Sequence, residues 1–365
     1  MIDEGFQLHL PSVDYLDGLR AADASVNTER NYASRIALYL SYTAALGIDW
    51  TRPSLQNLSG YLRWLVNEPL PPRGRRPDPE PRHRRPGTAN AHLGTVCELL
   101  RWSALRGLVP DTVINILAQP KYLVYLPEGL DPGEDGQNRT VRAKAIKFSV
   151  AVPGFEWLVY EDVGRMIAVA CHARDKFLLD LLRETGIRIG EALGLRREDM
   201  HLLPNSTMLG CKIPGPHIHI VRRPTNANRA LAKSRQPRWI PIGADTVNFY
   251  TDYQYERDEV PRAASSDMVF VNLFAAPLGE PMKYPSTYEL FKRLAKAAGL
   301  EAHPHMVRHG TITRWIKDGM PRDTAQDLAG HASEVSMKPY VHITNKEMRE
   351  HAQRVNEIQK ARKTK

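Results

Sequence analysis

The chain has 365 residues, 42% of them apolar, and 50 Lys and Arg against 41 Asp and Glu leave a net charge of +9. That length predicts two domains. No apolar run reaches the roughly 18 residues of a membrane helix, and the start, Met1-Ile-Asp-Glu-Gly-Phe6, lacks the basic flank and apolar stretch of a secretory signal, so a cytoplasmic protein is expected.

From the N-terminus, the first third reads as helices. Thr28 is placed to cap a helix in which Tyr32, Ile36 and Leu40 recur every four residues until Gly47. Ser54 can cap a second, bearing Leu55, Leu58, Leu62 and Leu65, and a third runs from Thr88 through Leu93, Cys97, Leu100 and Trp102 to near Gly107. Their apolar faces predict one small bundle over residues 1–118. Between the second and third helices, Pro71 to Pro86 is too dense in proline for helix or ladder and reads as an extended loop. Its six arginines, Arg73, Arg75, Arg76, Arg82, Arg84 and Arg85, either track a phosphate backbone or simply keep the loop solvated. Residues 119–155, rich in Pro, Gly and charge, read as a linker.

The second domain, 156–344, opens with helical patterns over Tyr160–Ala170 and Lys176–Glu184. Gly186 ends the latter, and a further helix runs from Ile187 to Leu195. The period then changes: His217-Ile-His-Ile-Val221 alternates and Arg238-Trp-Ile-Pro-Ile242 is short and β-rich, predicting an antiparallel pair joined by Arg222–Pro237. Helix resumes near Asp245, pauses at a strand-like Met268-Val-Phe-Val-Asn272, and dominates thereafter. The fold class expected is mainly α, a helical bundle followed by a mixed, mostly α domain with a small antiparallel sheet.

The positive charge favours a polyanionic partner, because each phosphate neutralised releases counterions. Several residues could act on one. Arg188 follows a helix-stopping Thr-Gly and can point toward an anion, with Glu191 three residues on to hold it. His305 and Arg308, at i and i+3, project from one helix face; two arginines plus histidines can clamp the oxygens of a phosphodiester and stabilise a pentavalent transition state. His331 is followed nine residues later by Tyr340, whose phenol, with a pKa of about 10, needs positive charge and a proton acceptor to become a nucleophile. Lys233 falls in the connection between the two strands, where a mobile ammonium can protonate a departing alkoxide. Each of these, taken singly, also suits an ordinary surface or packing residue. His309 lies at i+4 from His305 but no third metal ligand stands at familiar spacing, and Cys97, Cys171 and Cys211 form no CxxC pair and have no histidine at ligand spacing nearby; reduced thiols and no metal site are expected.

Read in order, Arg188, Lys233, His305-x-x-Arg308, Gly330-His331 and Tyr340 resemble the catalytic set of the tyrosine recombinase (phage integrase) family. The surrounding words Thr185-Gly-Ile-Arg-Ile-Gly-Glu-Ala-Leu193 and Leu328-Ala-Gly-His331 are similar too. The resemblance covers Tyr160 to Ile343; the first domain is similar to the family's helical, SAM-like core-binding domain in size and pattern. It implies that Arg188 and Arg308 hold the scissile phosphate with His305 and His331, that Lys233 protonates the leaving 5′ oxygen, that Tyr340 forms a 3′-phosphotyrosyl link, and that Glu191 orients Arg188. It further implies double-stranded DNA as partner, a homotetramer on paired sites with an accessory DNA-bending or directionality protein as a further partner, no ATP, cofactor or metal, and a tail, 345–365, that docks on a neighbouring subunit. Pro339, just before Tyr340, departs from a comfortable mid-helix nucleophile. Type IB topoisomerases share the mechanism, and an inactive DNA-binding relative is the remaining alternative.

Overall fold

The computed structural model describes residues 8–72, 80–126, 137–150, 156–223, 225–234, 236–331, 337 and 340, and the chain divides into two compact units, 1–153 and 154–365. Among the described residues no helix is long and apolar enough to cross a membrane.

The first unit is a bundle of α1 (Leu10–Ala21), α2 (Val26–Ala45), α3 (Leu55–Asn67), α4 (Pro86–Ala104) and α5 (Asp111–Leu117), followed by a hairpin of β1 (Ala118–Tyr122) and β2 (Thr140–Lys144). The sequence reading passes over α1 because, of its large side chains, only Tyr15 is fully buried, too sparse for a periodic signal. α2 begins earlier than expected: Ser25 is the cap, its hydroxyl accepting the Thr28 N–H at 3.1 Å. Ser54 caps α3 as expected, with a reciprocal bond from its own N–H to Asn57 Oδ1 at 2.9 Å. α4 starts at Pro86, where a missing N–H costs nothing. Tyr39, Leu58, Leu62, Leu65, Leu93, Val96 and Leu100 form the core.

Two expectations about this unit change. Residues 119–155 are not a simple linker: β1 and β2 pair antiparallel from Ala118↔Lys144 to Tyr122↔Thr140. Beyond β2, Ile146 and Phe148 return to the bundle core, and Asn90 holds both backbone groups of Phe148 at 2.9 and 3.0 Å. The strands lie at the two ends of a Pro- and Gly-rich stretch whose composition masked them. In the arginine-rich loop, Leu70 N–H donates to the Arg82 carbonyl at 2.7 Å and closes the base. Arg82 donates to the Pro71 carbonyl at 3.1 Å and Arg84 to that of Leu65 at 3.5 Å, while Arg85 is exposed at the start of α4. Arg73, Arg75 and Arg76 lie outside the described residues.

The second unit comprises α6 (Tyr160–Val169), α7 (Ala173–Thr185), α8 (Ile189–Ala192), β3 (Met200–His201), β4 (His217–Ile220), β5 (Arg238–Pro241), α9 (Ala244–Asp258), α10 (Pro261–Ala264), α11 (Tyr284–Ala297), α12 (Pro304–Lys317) and α13 (Arg322–Ala329). The expected pair of strands forms, with register His217↔Pro241 to Ile220↔Arg238, and β3 extends it into an antiparallel sheet ordered β3-β4-β5. Ile218, Ile220 and Ile240 face the core. Met268–Asn272 joins no sheet and makes isolated bridges only, Arg196↔Met268 and Val271↔Pro281; its apolar run reflects full burial of Val269, Phe270 and Val271. α7 is the central helix, burying Phe177, Leu178, Leu179, Leu181 and Leu182, so the residues that follow it are held against a rigid core.

Candidate active site

α7 ends at Gly186, whose φ of 58° turns the chain so that Arg188 becomes the N-cap of α8 with extended backbone. Glu191, in the first turn of α8, is 3% exposed and accepts from three directions. The Arg188 N–H reaches its Oε2 at 2.9 Å and the Arg188 guanidinium its Oε1 at 3.2 Å; Arg238, at the start of β5, donates to Oε2 at 2.8 Å. Burial works to raise the Glu191 carboxyl, but Arg238 and then the Arg188 N–H and guanidinium outweigh it and hold the pKa below its ordinary value. Arg238 is a member of this cluster that sequence reasoning treated only as a strand residue; the signal available was an arginine opening the strand directly after the Lys233-Ser234 connection.

α12 supplies His305, Arg308 and His309 on successive turns. Arg308 is buried, and its guanidinium donates to the carbonyls of Gly186 and Ala329, both at 2.6 Å, and to His331 Nε2 at 2.9 Å. Burial, then Arg188, lowers its pKa to about 10, so it remains a cation near neutrality. Since an arginine only donates, His331 Nε2 must accept, and the proton of the neutral ring sits on Nδ1, facing Met337 Sδ at 3.2 Å. α13 leads into His331 through Gly330, whose φ is 62° and whose added Cβ would stand 2.6 Å from Arg238 Nη1. The left-handed conformation favours glycine there, and a side chain would also have to displace the Arg238 guanidinium. Its carbonyl in turn accepts from Arg188 at 3.4 Å.

Tyr340 is buried, 6% exposed, against Ile312, Trp315, Ala325 and Ala329. Its hydroxyl lies 2.7 Å from His309 Nδ1, and its ring stacks near that of His331 at 6.0 Å between centroids. A partner of Tyr340 is thus His309, which the sequence reading considered only as a metal ligand beside His305. A histidine one turn of helix from His305 was the available hint, and the rings do touch, at 4.2 Å between centroids. Burial, then His305 and Arg308, lowers His309 to about 3; burial, then Arg308 and Arg188, lowers His331 to about 4. Burial raises Tyr340 despite Arg308 and Arg188. Without a bound anion the site therefore holds neutral histidines, an un-ionised tyrosine and charged arginines.

His305 stands at the surface, its ring held below its ordinary pKa by the packing round it and then by Arg308, with Lys233 contributing. Lys233 itself is exposed and lines a groove of about 960 Å³ with Arg188, Arg238 and His331. The structure thus brings Arg188, Glu191, Lys233, His305, Arg308, His331 and Tyr340 into one cationic neighbourhood, suited to a phosphodiester. Pro339 and the tail 345–365 lie outside the described residues.

The sequence profile of the Phage integrase family matches residues 156–347. Over 370 residues the chain is 27% identical to transposase A from transposon Tn554 of Staphylococcus aureus, covering 96% of this chain and 91% of that one. It is 28% identical over 180 residues to tyrosine recombinase XerD of Halalkalibacterium halodurans, covering 48% of this chain and 52% of that one. In fold it is similar to the Tn1549 transposon integrase in complex with circular intermediate DNA, with a TM-score of 0.60 and 14% identity over 94% of this chain and 98% of that one. A lambda integrase dimer bound to a core site gives a TM-score of 0.57, with 14% identity over 91% and 94% of the two chains.

Proposed function

The chain belongs to the phage integrase family, and from that premise we propose how it works as a site-specific tyrosine recombinase that cuts and rejoins double-stranded DNA through Tyr340. The observation that carries the assignment is the 2.7 Å contact between the Tyr340 hydroxyl and His309 Nδ1, beside the Arg308–His331 pair. A phosphodiester in the groove lined by Arg188, Lys233 and His331 brings a negative charge to a site whose histidines are kept neutral by burial and then by surrounding cations. That charge offsets the cations that depress His309, so the imidazole becomes a better acceptor for the tyrosine proton. The phenolate oxygen then bonds to phosphorus, the bond from phosphorus to the 5′ oxygen breaks, and Lys233 delivers a proton to the departing oxygen. A 5′ hydroxyl from a second strand reverses these steps and frees Tyr340. The phosphotyrosyl bond replaces the phosphodiester one for one, which leaves no need for ATP.

Arg188 and Arg308 bind the non-bridging oxygens in this scheme, His305 and His331 support them, and Glu191 is a positioning residue. Arg308 enters this role with its Nη atoms fixed on the Gly186 and Ala329 carbonyls and with a buried Nε that has no protein partner, so binding an oxygen requires it to exchange one of those contacts. Rearrangement of two sites requires four active centres, consistent with a tetramer formed on paired DNA, and accessory proteins that bend DNA or set direction would act on that assembly.

The test is denaturing capture of protein–DNA adducts from cells carrying the native genomic context. Wild type is expected to yield adducts whose DNA maps one class of site, and Tyr340→Phe none. Adducts at undiminished level in Tyr340→Phe would refute the assignment. The role of Lys233 is checked separately: Lys233→Met should cleave ordinary DNA slowly, yet regain rate on a strand whose 5′ bridging oxygen is replaced by sulfur, a leaving group that needs no proton. Equal impairment on both substrates would remove Lys233 from that role.

A further inference from the structure

Away from the residues of the active site, the second unit gathers three histidines and a cysteine. His217 and His219 alternate with Ile218 and Ile220 on β4; the isoleucines face the core, so both imidazoles emerge on the other face of the sheet. His201 on β3 is directly opposite His217 in the register. Cys211 reaches the same point from the connection between β3 and β4. One ligand atom from each of the four lies within 4.8 Å of all the others.

The three distances among Cys211, His217 and His219 match three edges of a coordination tetrahedron, and His201 lies within 4.8 Å of all of them. His217 Nε2 and His219 Nε2 are 3.2 Å apart, and Cys211 Sγ is 3.3 Å from the first and 3.6 Å from the second. Zinc bonds of about 2.0–2.1 Å to nitrogen and 2.3 Å to sulfur put tetrahedral nitrogens about 3.3 Å apart and nitrogen and sulfur about 3.6 Å apart. The protonation pattern agrees. His217 Nδ1 lies 2.7 Å from the Gly215 carbonyl, which can only accept, so the ring proton is on Nδ1 and the Nε2 lone pair faces the cluster. That is the orientation a backbone carbonyl imposes on a metal-ligating histidine. His201 Nδ1 is buried with no hydrogen-bond partner, an arrangement that proteins seldom leave uncompensated.

The connection itself supplies an independent reason. Of residues 203–210 only Ser206 is buried, while Leu203, Met208 and Leu209 are exposed at 59%, 99% and 59%. A stretch that buries so little apolar surface has no core of its own to fix it. We propose that His201, Cys211, His217 and His219 form a closed structural site for one zinc ion, which ties β3, β4 and their connection together. The donor set, three imidazoles and one thiolate with no fourth position left for substrate, suits a structural rather than a catalytic ion. β4 carries β5, which holds Arg238, and their connection holds Lys233, so the ion would stiffen the sheet from which both residues enter the active site. The sequence reading expects no metal here because His217 stands six positions after Cys211 and His201 is more distant still; only the β3–β4 pairing closes the set.

The full chain, stripped with a chelator, is titrated with Co²⁺ alone and then with Zn²⁺. One Co²⁺ per chain is expected, with the intense visible absorption of tetrahedral cobalt and a sulfur-to-cobalt charge-transfer band, both lost when Zn²⁺ is added. Cys211→Ser should abolish the charge-transfer band and His219→Gln should weaken cobalt binding at least tenfold. Both positions are only half-buried, and circular dichroism verifies that each variant is folded. His305→Ala should leave the spectrum unchanged, which separates this site from the His305–His309 pair. No saturable binding, a weak octahedral spectrum, or a wild-type spectrum in folded Cys211→Ser would overturn the proposal.

Discussion

Replacing Glu191 by glutamine keeps the shape of the side chain and removes its charge from beneath two guanidiniums. The carboxylate is fully buried, while the side chains of Arg188 and Arg238 are 22% and 10% exposed. Breaking a buried ion pair by removing one partner costs about 3–5 kcal/mol. Arg188 keeps the Gly330 carbonyl and some water, and Arg238 keeps the Leu328 carbonyl at 2.9 Å, so the low end, about 3 kcal/mol, is expected. For a unit of this size that corresponds to a fall in Tm of roughly 6–12 °C at neutral pH. The pH dependence gives a second, sharper check. The folded carboxyl has a pKa below its ordinary value. Its contribution is therefore fully present above the unfolded pKa of about 4.3 and is lost as pH falls through the folded value. Urea unfolding of wild type and Glu191→Gln at pH 7 and again below pH 4 should show the gap closing on acidification. A variant within about 0.5 kcal/mol of wild type at pH 7, the range of an ordinary surface substitution, would refute the reasoning. So would a gap that does not change with pH.

Other perturbations test the rest of the site. His309 and His331, lowered to about 3 and about 4, should show no titration between pH 5 and 8 by NMR in the free protein. Because the unfolded chain binds their protons near pH 6.5 and the folded one does not, stability should fall as pH drops below 6.5 toward those values; flat stability across that window would contradict their burial as neutral rings. Gly330→Ala places a methyl 2.6 Å from the Arg238 guanidinium at φ 62° and should lower stability by at least about 1 kcal/mol, read by thermal unfolding, while slowing DNA cleavage through displacement of Arg238 and His331. Converting Arg82, Arg84 and Arg85 to glutamine should lower DNA affinity and reduce the dependence of log K on log salt by up to about three phosphate contacts. An unchanged slope would assign these arginines to the loop itself, where Arg82 and Arg84 already meet backbone carbonyls.

How much of this was legible beforehand follows from the range over which each signal acts. Local chemistry was readable: Ser54 capping α3, Gly186 stopping α7, and the alternation of His217-Ile-His-Ile220 each depend on residues within one turn or one pleat. The order of Arg188, Lys233, His305, Arg308, His331 and Tyr340 along the chain was sufficient to indicate the family and the chemistry. Elements with little apolar periodicity escaped, namely α1 with its single large buried side chain and the β1–β2 hairpin hidden in a proline- and glycine-rich stretch. What the sequence could not give was any partnership between residues far apart in it. His309 meets Tyr340 across 31 positions and Arg238 meets Glu191 across 47. His201 reaches His217 and His219 only because β3 pairs with β4. Hydrogen bonds and metal bonds act over about 2–3 Å, so these pairs become chemistry only when tertiary packing sets the distance, and no spacing along the chain encodes it.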